Sequence, residues 1–208
     1  KGGCEQIGSN AFANCTSLRN FVLPNGSVKL GDLVFYGSGL QKLTFAKNTQ
    51  LDSIGASVFP TTYAPEIDLS ASTLYRLNGD AIYTNDGSRL VMLLPTSTVA
   101  TFTVPASVKV IASGAFSGNA ALMTMLRFEA GSQLESIEYA AFSNCFSLSK
   151  VELPDRDITL GDSAFFNAKF LTSINLDRVT SVGSSAFENC PLTSIELTHE
   201  NVEIGMAA

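Results

Sequence analysis

Phenylalanine recurs along the 208 residues at a nearly constant interval, and this repeat constrains the fold more than any other feature. The residues that mark the interval are Phe12, Phe35, Phe59, Phe116, Phe142, Phe165 and Phe187, with Ile82 in the same position of a degenerate fourth unit. Successive spacings are 23, 24, 23, 34, 26, 23 and 22 residues. Units this short cannot bury an apolar face alone, so the pattern predicts a stack of about eight units.

Two further apolar patterns stay in phase with the marker phenylalanine. A branched aliphatic residue stands five positions before each marker, as at Ile7 and Leu160, and glycine usually follows it. After the marker comes the pattern L-x-x-[LIV]-x-L, as in Leu171, Ile174 and Leu176, which predicts a short strand with one buried face. Stacked copies of this strand predict one parallel β-sheet of about eight rungs, with about 4.8 Å between rungs.

The segment around each marker is predicted to form a short helical turn on the side opposite the sheet. Three residues before the marker there is often a side chain that caps helices: Ser9, Asp32, Ser113, Asp162 and Ser184. Two residues after the marker stands Asn or Gly, as in Asn14, Gly37 and Asn144. Because these residues tolerate the left-handed backbone conformation, we interpret them as residues that end the turn.

The long fourth unit carries a β-hairpin signal within what is otherwise one domain covering residues 1–208. Asn85-Asp86-Gly87-Ser88 separates two apolar runs, which predicts a hairpin insertion at residues 79–95 that leaves the wall of the stack. Tyr83, Met92 and Leu93 could form an exposed contact patch on it. The alternative, which we favour, is that the hairpin folds back and covers a break in the phenylalanine spine.

The residues that could carry chemistry are few. His199 is the single histidine, and no nucleophile, phosphate-binding or zinc-protease motif accompanies it, so we predict neither catalysis nor a cofactor nor a metal. Cys4 occupies an aliphatic position of the repeat, and Cys15, Cys145 and Cys190 stand three residues after the marker, where other units carry small residues such as Ser38 or Ala168. All four are interpreted as small core residues. The net charge is −6 with scattered Lys and Arg, which argues against nucleic acid as a partner. No apolar run approaches the roughly 18 residues needed for membrane insertion.

The repeat resembles a known family. The motif I-G-x-x-A-F-x-N-C is present from Ile7-Gly8 to Asn14-Cys15, and its second half recurs from Ala141-Phe142 to Asn144-Cys145. These residues are similar to the BspA-like leucine-rich repeat family of surface proteins from host-associated bacteria and some protists. The resemblance implies a curved leucine-rich-repeat solenoid, often exported, that adheres to host matrix proteins, other cells or microbial partners, with no catalytic residues. The chain departs from the family pattern in its fourth unit and at Glu138, where glycine is usual.

A ligand is expected on the outward face of the parallel sheet, the surface that solenoids commonly use. The candidate residues on this face are Lys42, Thr44, Glu66, Asp68, Lys150, Glu152, Asn175 and Glu196. The face is polar and poor in aromatic residues, which favours a host or microbial surface or matrix protein as the partner, although a glycan remains possible. We therefore expect an adhesion or interaction module, secreted or on a cell surface, although no export signal is visible. A structural spacer within a longer surface protein is the alternative, and a hydrolase part is a remote one.

Overall fold

The computed structural model describes residues 4–55, 58–59, 65–118 and 122–208. In the first half the strands are β1 (Gln6–Ile7), β2 (Asn20–Leu23), β3 (Gly26–Leu30), β4 (Lys42–Phe45), β5 (Thr49–Ile54), β6 (Glu66–Asp68), β7 (Tyr75–Asn78), β8 (Ala81–Thr84) and β9 (Arg89–Leu93). In the second half they are β10 (Thr101–Val104), β11 (Val110–Ile111), β12 (Met125–Phe128), β13 (Ser136–Ile137), β14 (Lys150–Val151), β15 (Ile158–Leu160), β16 (Ser173–Ile174), β17 (Val179–Val182) and β18 (Glu203–Ile204).

The chain is a parallel β-solenoid of about eight rungs, as the repeat predicts, but it has two walls of strands instead of one. The front wall contains the predicted strands, paired in the orders β2-β4-β6 and β10-β12-β14-β16. The rear wall contains β1-β3-β5 and an eight-stranded sheet that runs from β18 to β7. Equivalent aliphatic residues lie side by side in the rear wall, as Ile111, Ile137 and Leu160 do. The residues before the glycine that recurs from unit to unit thus form strands that the sequence pattern did not reveal.

The turns around the marker phenylalanines are not helical, so that prediction is wrong: the described residues contain no helix. The amide of Ala13 donates to the carbonyl of Asn10, three residues earlier, but the amide of Phe12 donates to Val34 in the next rung. Asn10 has a φ of +62°, which interrupts any helical run before the marker. As predicted, Asn14 also has positive φ (+58°) and ends the turn. The part of the third turn after Phe59 lies outside the described residues.

The predicted helix-capping side chains join neighbouring rungs instead. Ser9 Oγ accepts a hydrogen bond from the amide of Asp32 (3.1 Å), and Asp162 Oδ1 accepts one from the amide of Ser184 (2.7 Å). Each acceptor therefore binds the equivalent residue one rung further along. Since the turn is not helical, it offers no helix N-terminus for these side chains to cap.

The phenylalanine spine is present and stacked. Phe116, Phe142 and Phe165 are fully buried, and their ring centroids lie 4.5 Å and 5.1 Å apart. Phe187 continues the stack at 5.5 Å from Phe165. In the N-terminal half, Phe12 stacks on Phe35 at 5.7 Å. Offset aromatic stacking of this kind adds to the burial of each ring.

The fourth unit interrupts the stack as a three-stranded meander. β7 pairs antiparallel with β8, and β8 antiparallel with β9, which then pairs parallel with β11. The prediction that the hairpin leaves the wall is therefore wrong, because its strands continue the wall. Both faces of the meander are buried. Ile82 and Met92 on one face belong to the apolar core of the N-terminal half. Ala81, Tyr83 and Leu93 belong to the apolar core of the C-terminal half. Because Tyr83, Met92 and Leu93 are buried, they form no exposed contact patch.

Candidate functional site

The predicted candidate residues of the front wall fall into two groups. Lys42 lies beside Glu66, and Thr44 beside Asp68, on β4 and β6. Lys42 Nζ contacts Asp68 at 2.9 Å and Glu66 at 3.3 Å. Hydrogen bonds to Asp68 and Glu66 raise the pKa of Lys42. The hydrogen bond from Lys42, together with those from Ser70, holds the pKa of Asp68 well below its ordinary value. These three charged side chains therefore form ion pairs with one another, one lysine with two carboxylates.

The second group lies on β12, on β14 and directly after β14, and it includes a residue that sequence reasoning missed. Lys150 Nζ contacts Glu152 at 2.7 Å, and a hydrogen bond from Lys150 lowers the pKa of Glu152. Arg127 Nε lies 3.6 Å from the same carboxylate. The pattern Met123-x-x-Leu126-x-Phe128 matches L-x-x-L-x-L and could have placed Arg127 on this face. Here two cations face one carboxylate, the opposite balance to the first group.

The remaining candidates are arranged differently from the prediction. The side-chain amide of Asn175 donates to the carbonyl of Leu153 (3.0 Å) and accepts from its amide (2.7 Å), so it extends the pairing of β14 with β16. Glu196 is exposed but lies outside any strand. Because β7–β9 lie in the rear wall, the two sheets of the front wall are not hydrogen-bonded to each other in the described residues. The predicted continuous face is therefore split at the fourth unit.

Exposed apolar side chains precede β12, β14 and β16 in the chain, and sequence reasoning missed them too. Phe146 is 49% exposed and precedes β14, and Phe170 is 62% exposed and precedes β16 on the next rung. Lys169 Nζ lies 5.9 Å from the centre of the Phe146 ring, which shows that the two rungs meet here. Leu122 is exposed before β12. All three lie outside the buried positions of the repeat, and that excess of apolar residues is the signal that could have identified them.

Glu138, at the position where most other units have glycine, links three segments of the rear wall. Its carboxylate binds both terminal nitrogens of Arg89 on β9, at 2.7 Å and 2.6 Å. It also accepts hydrogen bonds from the amide (3.0 Å) and hydroxyl (3.1 Å) of Ser113. Partial burial alone raises the pKa of Glu138, but the bonds from Arg89 and Ser113 outweigh it and lower the value. The departure from the repeat thus anchors the meander to the fifth and sixth rungs.

The cysteines are free thiols in two different settings. Cys145 is buried and Cys190 half-buried; each thiol donates to the carbonyl of the marker phenylalanine one rung earlier, Phe116 (3.4 Å) or Phe165 (3.1 Å). Burial raises the pKa of both thiols, that of Cys190 to about 11. Cys4 and Cys15 are exposed, so interpreting them as core residues is wrong. They lie in the first rung, where no earlier rung covers them in the described residues.

The described residues show little else that could carry chemistry. No three His, Cys, Asp or Glu side chains within them come together as a metal site. His199 Nε2 lies 3.7 Å from Asp157, which itself binds Arg178 Nη2 at 2.6 Å. In the part of the chain that the structure describes, no helix has the length and apolarity needed to cross a membrane.

Rungs that pair in parallel around a spine of apolar side chains define a leucine-rich-repeat solenoid. The sequence matches the family model described as the BspA type leucine rich repeat region, in six copies, over residues 1–90 and 95–208. The chain therefore belongs to the BspA-type leucine-rich repeat family, as the sequence motif predicts. No curated protein matches the sequence.

Solved structures of bacterial proteins share this fold. The pneumococcal vaccine antigen PcpA is similar with a TM-score of 0.56 and 17% identity, over 95% of this chain and 56% of that one. A leucine rich cell surface protein from Faecalibacterium prausnitzii A2-165 is similar with a TM-score of 0.51 and 20% identity, over 97% of this chain and 63% of that one. The chain thus spans less than two thirds of either neighbour. At these identities the likeness concerns the fold alone.

Proposed function

We propose that this chain is a protein-interaction module, displayed on a cell surface or secreted, that acts by binding and not by catalysis. Membership of the BspA-type family supports an interaction role, and the names of the two structural neighbours, a vaccine antigen and a cell surface protein, support the location. The partner is a host or microbial surface or matrix protein. A glycan on the front wall is less favoured, because the exposed aromatic rings border its strands and do not line them.

The observation that carries the proposal is the pair of exposed aromatic rings, Phe146 and Phe170, on adjacent rungs beside β14 and β16. Exposed apolar side chains that cluster on a surface are typical of protein interfaces, and aromatic and arginine side chains contribute most of the binding energy there. Arg127 on β12 and Lys150 on β14 outnumber the carboxylate of Glu152 that they share, so this part of the front wall suits an acidic and apolar partner. We name Leu122, Arg127, Phe146, Lys150, Glu152 and Phe170 the front-wall patch.

The candidate residues around this patch take different parts in the proposal. Lys150, Glu152 and Asn175 lie within or beside it, with Glu196 towards the last rung. The other sheet of the front wall provides a second polar surface, formed by Lys42, Thr44, Glu66 and Asp68. Since their charges satisfy one another, we expect them to contribute specificity more than affinity.

Capture of immobilised matrix and microbial surface proteins, measured by surface plasmon resonance, tests this function. For any protein that the chain captures, the double variant Phe146→Ser/Phe170→Ser should weaken binding by at least about 2 kcal/mol, or about thirtyfold, because two anchors are lost. Charge reversal at Lys150 should slow association with an acidic partner and change its salt dependence, whereas charge reversal at Glu152 and Glu196 should speed association.

Tyr36→Ser is the matched control, since Tyr36 is an exposed aromatic residue of the second rung, outside the patch. It should leave capture unchanged. Equal capture by wild type and the double phenylalanine variant would exclude the patch as the binding surface. If no protein on the panel were captured, the spacer role would become the better explanation.

A further inference from the structure

A groove on the rear wall lies at the break between the two halves of the molecule. It has a volume of about 520 Å³ and is bounded on one side by β5 and on the other by the β8–β9 turn. β5 is the last strand of its sheet and β7 the last of the other, so the groove lies where no strand joins them. The Tyr75 hydroxyl accepts a hydrogen bond from the amide of Leu51 (2.6 Å) and bridges the gap.

Two carboxylate side chains line this groove, Asp52 from β5 and Asp86 from the turn. Asp86 accepts hydrogen bonds from the Thr84 hydroxyl (2.6 Å) and from the Ser88 amide (3.0 Å) and hydroxyl (2.8 Å). These bonds lower the pKa of Asp86 to about 2. An ionised carboxylate has about four acceptor positions, so Asp86 is held in place but retains capacity for another donor.

Asp52 is held in the same way and also retains acceptor capacity. It accepts hydrogen bonds from the Ser27 hydroxyl (2.7 Å) and the Gln50 side-chain amide (3.2 Å). The guanidinium of Arg89 also lines the groove, but both of its terminal nitrogens bind Glu138. The charge that the groove offers to a ligand is therefore negative, and its acceptors are fixed before the ligand arrives.

The groove also has apolar lining residues beside polar ones such as Thr73 and Asn85. Leu74 is 39% exposed, and Leu51 and Tyr75, both largely buried, contribute the rest of the apolar lining. The apolar lining supplies no ligand atoms for a metal ion, and a neutral sugar would leave the two carboxylates without a positive charge to pair with. An arginine side chain matches both parts, because its methylene stem packs on apolar surface and its planar guanidinium binds carboxylates in pairs.

We propose that this rear-wall groove binds an arginine side chain presented by an extended peptide segment of a protein partner. The site lies on the opposite wall from the front-wall patch, and it does not depend on that patch. Its volume exceeds one side chain and leaves room for the residues that flank the arginine. The long fourth unit supplies Leu74, Tyr75 and Asp86, so the degenerate unit acquires a binding role.

The test uses the whole chain and two synthetic peptides, acetyl-Gly-Ser-Arg-Ser-Gly-amide and the same peptide with citrulline, the uncharged isostere, in place of arginine. Amide chemical shifts of the labelled protein are followed during titration at low salt. The arginine peptide should shift the amides of Asp52, Tyr75 and Asp86, and the citrulline peptide should bind at least about tenfold more weakly, because charge-assisted bonds are lost. Equal binding of the two peptides overturns the proposal without any variant.

Asp52→Asn/Asp86→Asn should bind the arginine peptide at least about tenfold more weakly. Each asparagine keeps one acceptor oxygen, and its NH2 group can donate to the hydroxyl of Ser27 or Ser88, so the variant should fold. The control Asp155→Asn/Glu188→Gln removes two exposed carboxylates elsewhere and should bind like wild type. Equal weakening in the control would mean that only net charge attracts the peptide. Shifts of the groove amides by a neutral oligosaccharide, without shifts by the peptide, would also overturn the proposal. If the chain bound the peptide but captured no protein, the proposal of the groove would stand, and the front-wall patch would be excluded as a binding surface.

Discussion

At the scale of single residues, Glu138 shows how a departure from the repeat acquires a structural role. A glycine at this position lets the backbone of adjacent rungs approach closely, as at Gly161, whose added Cβ would lie 2.8 Å from backbone atoms of Glu138 and Tyr139. Glu138 instead reaches Arg89 and Ser113, on two other segments. Its side chain is 32% exposed and that of Arg89 27%, so the pair is partly shielded from water.

We expect Glu138→Gln to lower the free energy of unfolding by about 1–2 kcal/mol at pH 7, because Arg89 loses its counter-charge. The pKa of folded Glu138 lies below its ordinary value of 4.5. Its contribution is therefore complete above that pH and is lost as the pH falls through the folded value. Urea denaturation at pH 7 and at pH 3 should show the difference from wild type shrinking in acid. Glu135→Gln, in a more exposed pair with Lys109, should change little. A difference independent of pH would contradict this account.

At the scale of elements, the break at the fourth unit brings the third and fifth rungs into direct contact. The Ile54 amide lies 3.4 Å from the Ser113 carbonyl, across a gap of nearly sixty residues. Gly114, with φ of +66°, lies against the same residue, and a Cβ added there would lie 1.9 Å from the Ile54 carbonyl oxygen. The contact is possible because Gly114 has no side chain.

Gly114→Ala should therefore cost about 2–5 kcal/mol of unfolding free energy, from positive-φ strain together with the backbone clash. Gly79→Ala is the matched control, because Gly79 also has positive φ (+57°) but no atom lies within 4 Å of its added Cβ. It should cost about 1 kcal/mol. Chemical denaturation of both variants makes the comparison. Equal costs would show that the close approach of the two rungs does not contribute to stability.

At the scale of the whole molecule, the solenoid contains two apolar cores that share the meander as their boundary. Met92 packs into the N-terminal core, and its neighbour Leu93 packs into the C-terminal one. In a stack of rungs each unit contacts mainly its neighbours, so stability is local and damage in one half need not reach the other. The alternating side chains of β9 therefore allow each half to be weakened separately.

We expect Met92→Ala and Leu93→Ala each to cost about 2–5 kcal/mol, but in different halves. Hydrogen exchange should show faster exchange of the amides of Leu43 and Phe45 in Met92→Ala. In Leu93→Ala, the amides of Leu126 and Val151 should be affected instead. Each variant serves as the control for the other. The same loss of protection in both variants would show that the two halves open as one unit.

The sequence alone determined the solenoid, its family, the buried spine and the left-handed residues that end the turns. Each is visible because every rung must bury the same positions and bend at the same place, so one requirement is repeated through the chain. Phe142 and Asn144 follow from this period without coordinates. The split of the front wall and the positions of Phe146 and Phe170 do not, because an exposed side chain is under no such periodic constraint.

Only the tertiary structure decided the rear wall, the form of the marker turns and the place of the meander. Several rear-wall strands, such as β13, have only two residues, too few to show an alternating pattern, and the longer ones such as β5 are not of constant length from rung to rung. The turn amides have partners both within the turn and in the next rung, so Phe12 could bind Val34 only once the rungs were stacked. The apolar runs of β8 and β9 predict pairing, but which core each side chain enters depends on the rungs that lie on either side. Hydrogen bonds and packing between rungs are properties of the stack, which local sequence does not contain.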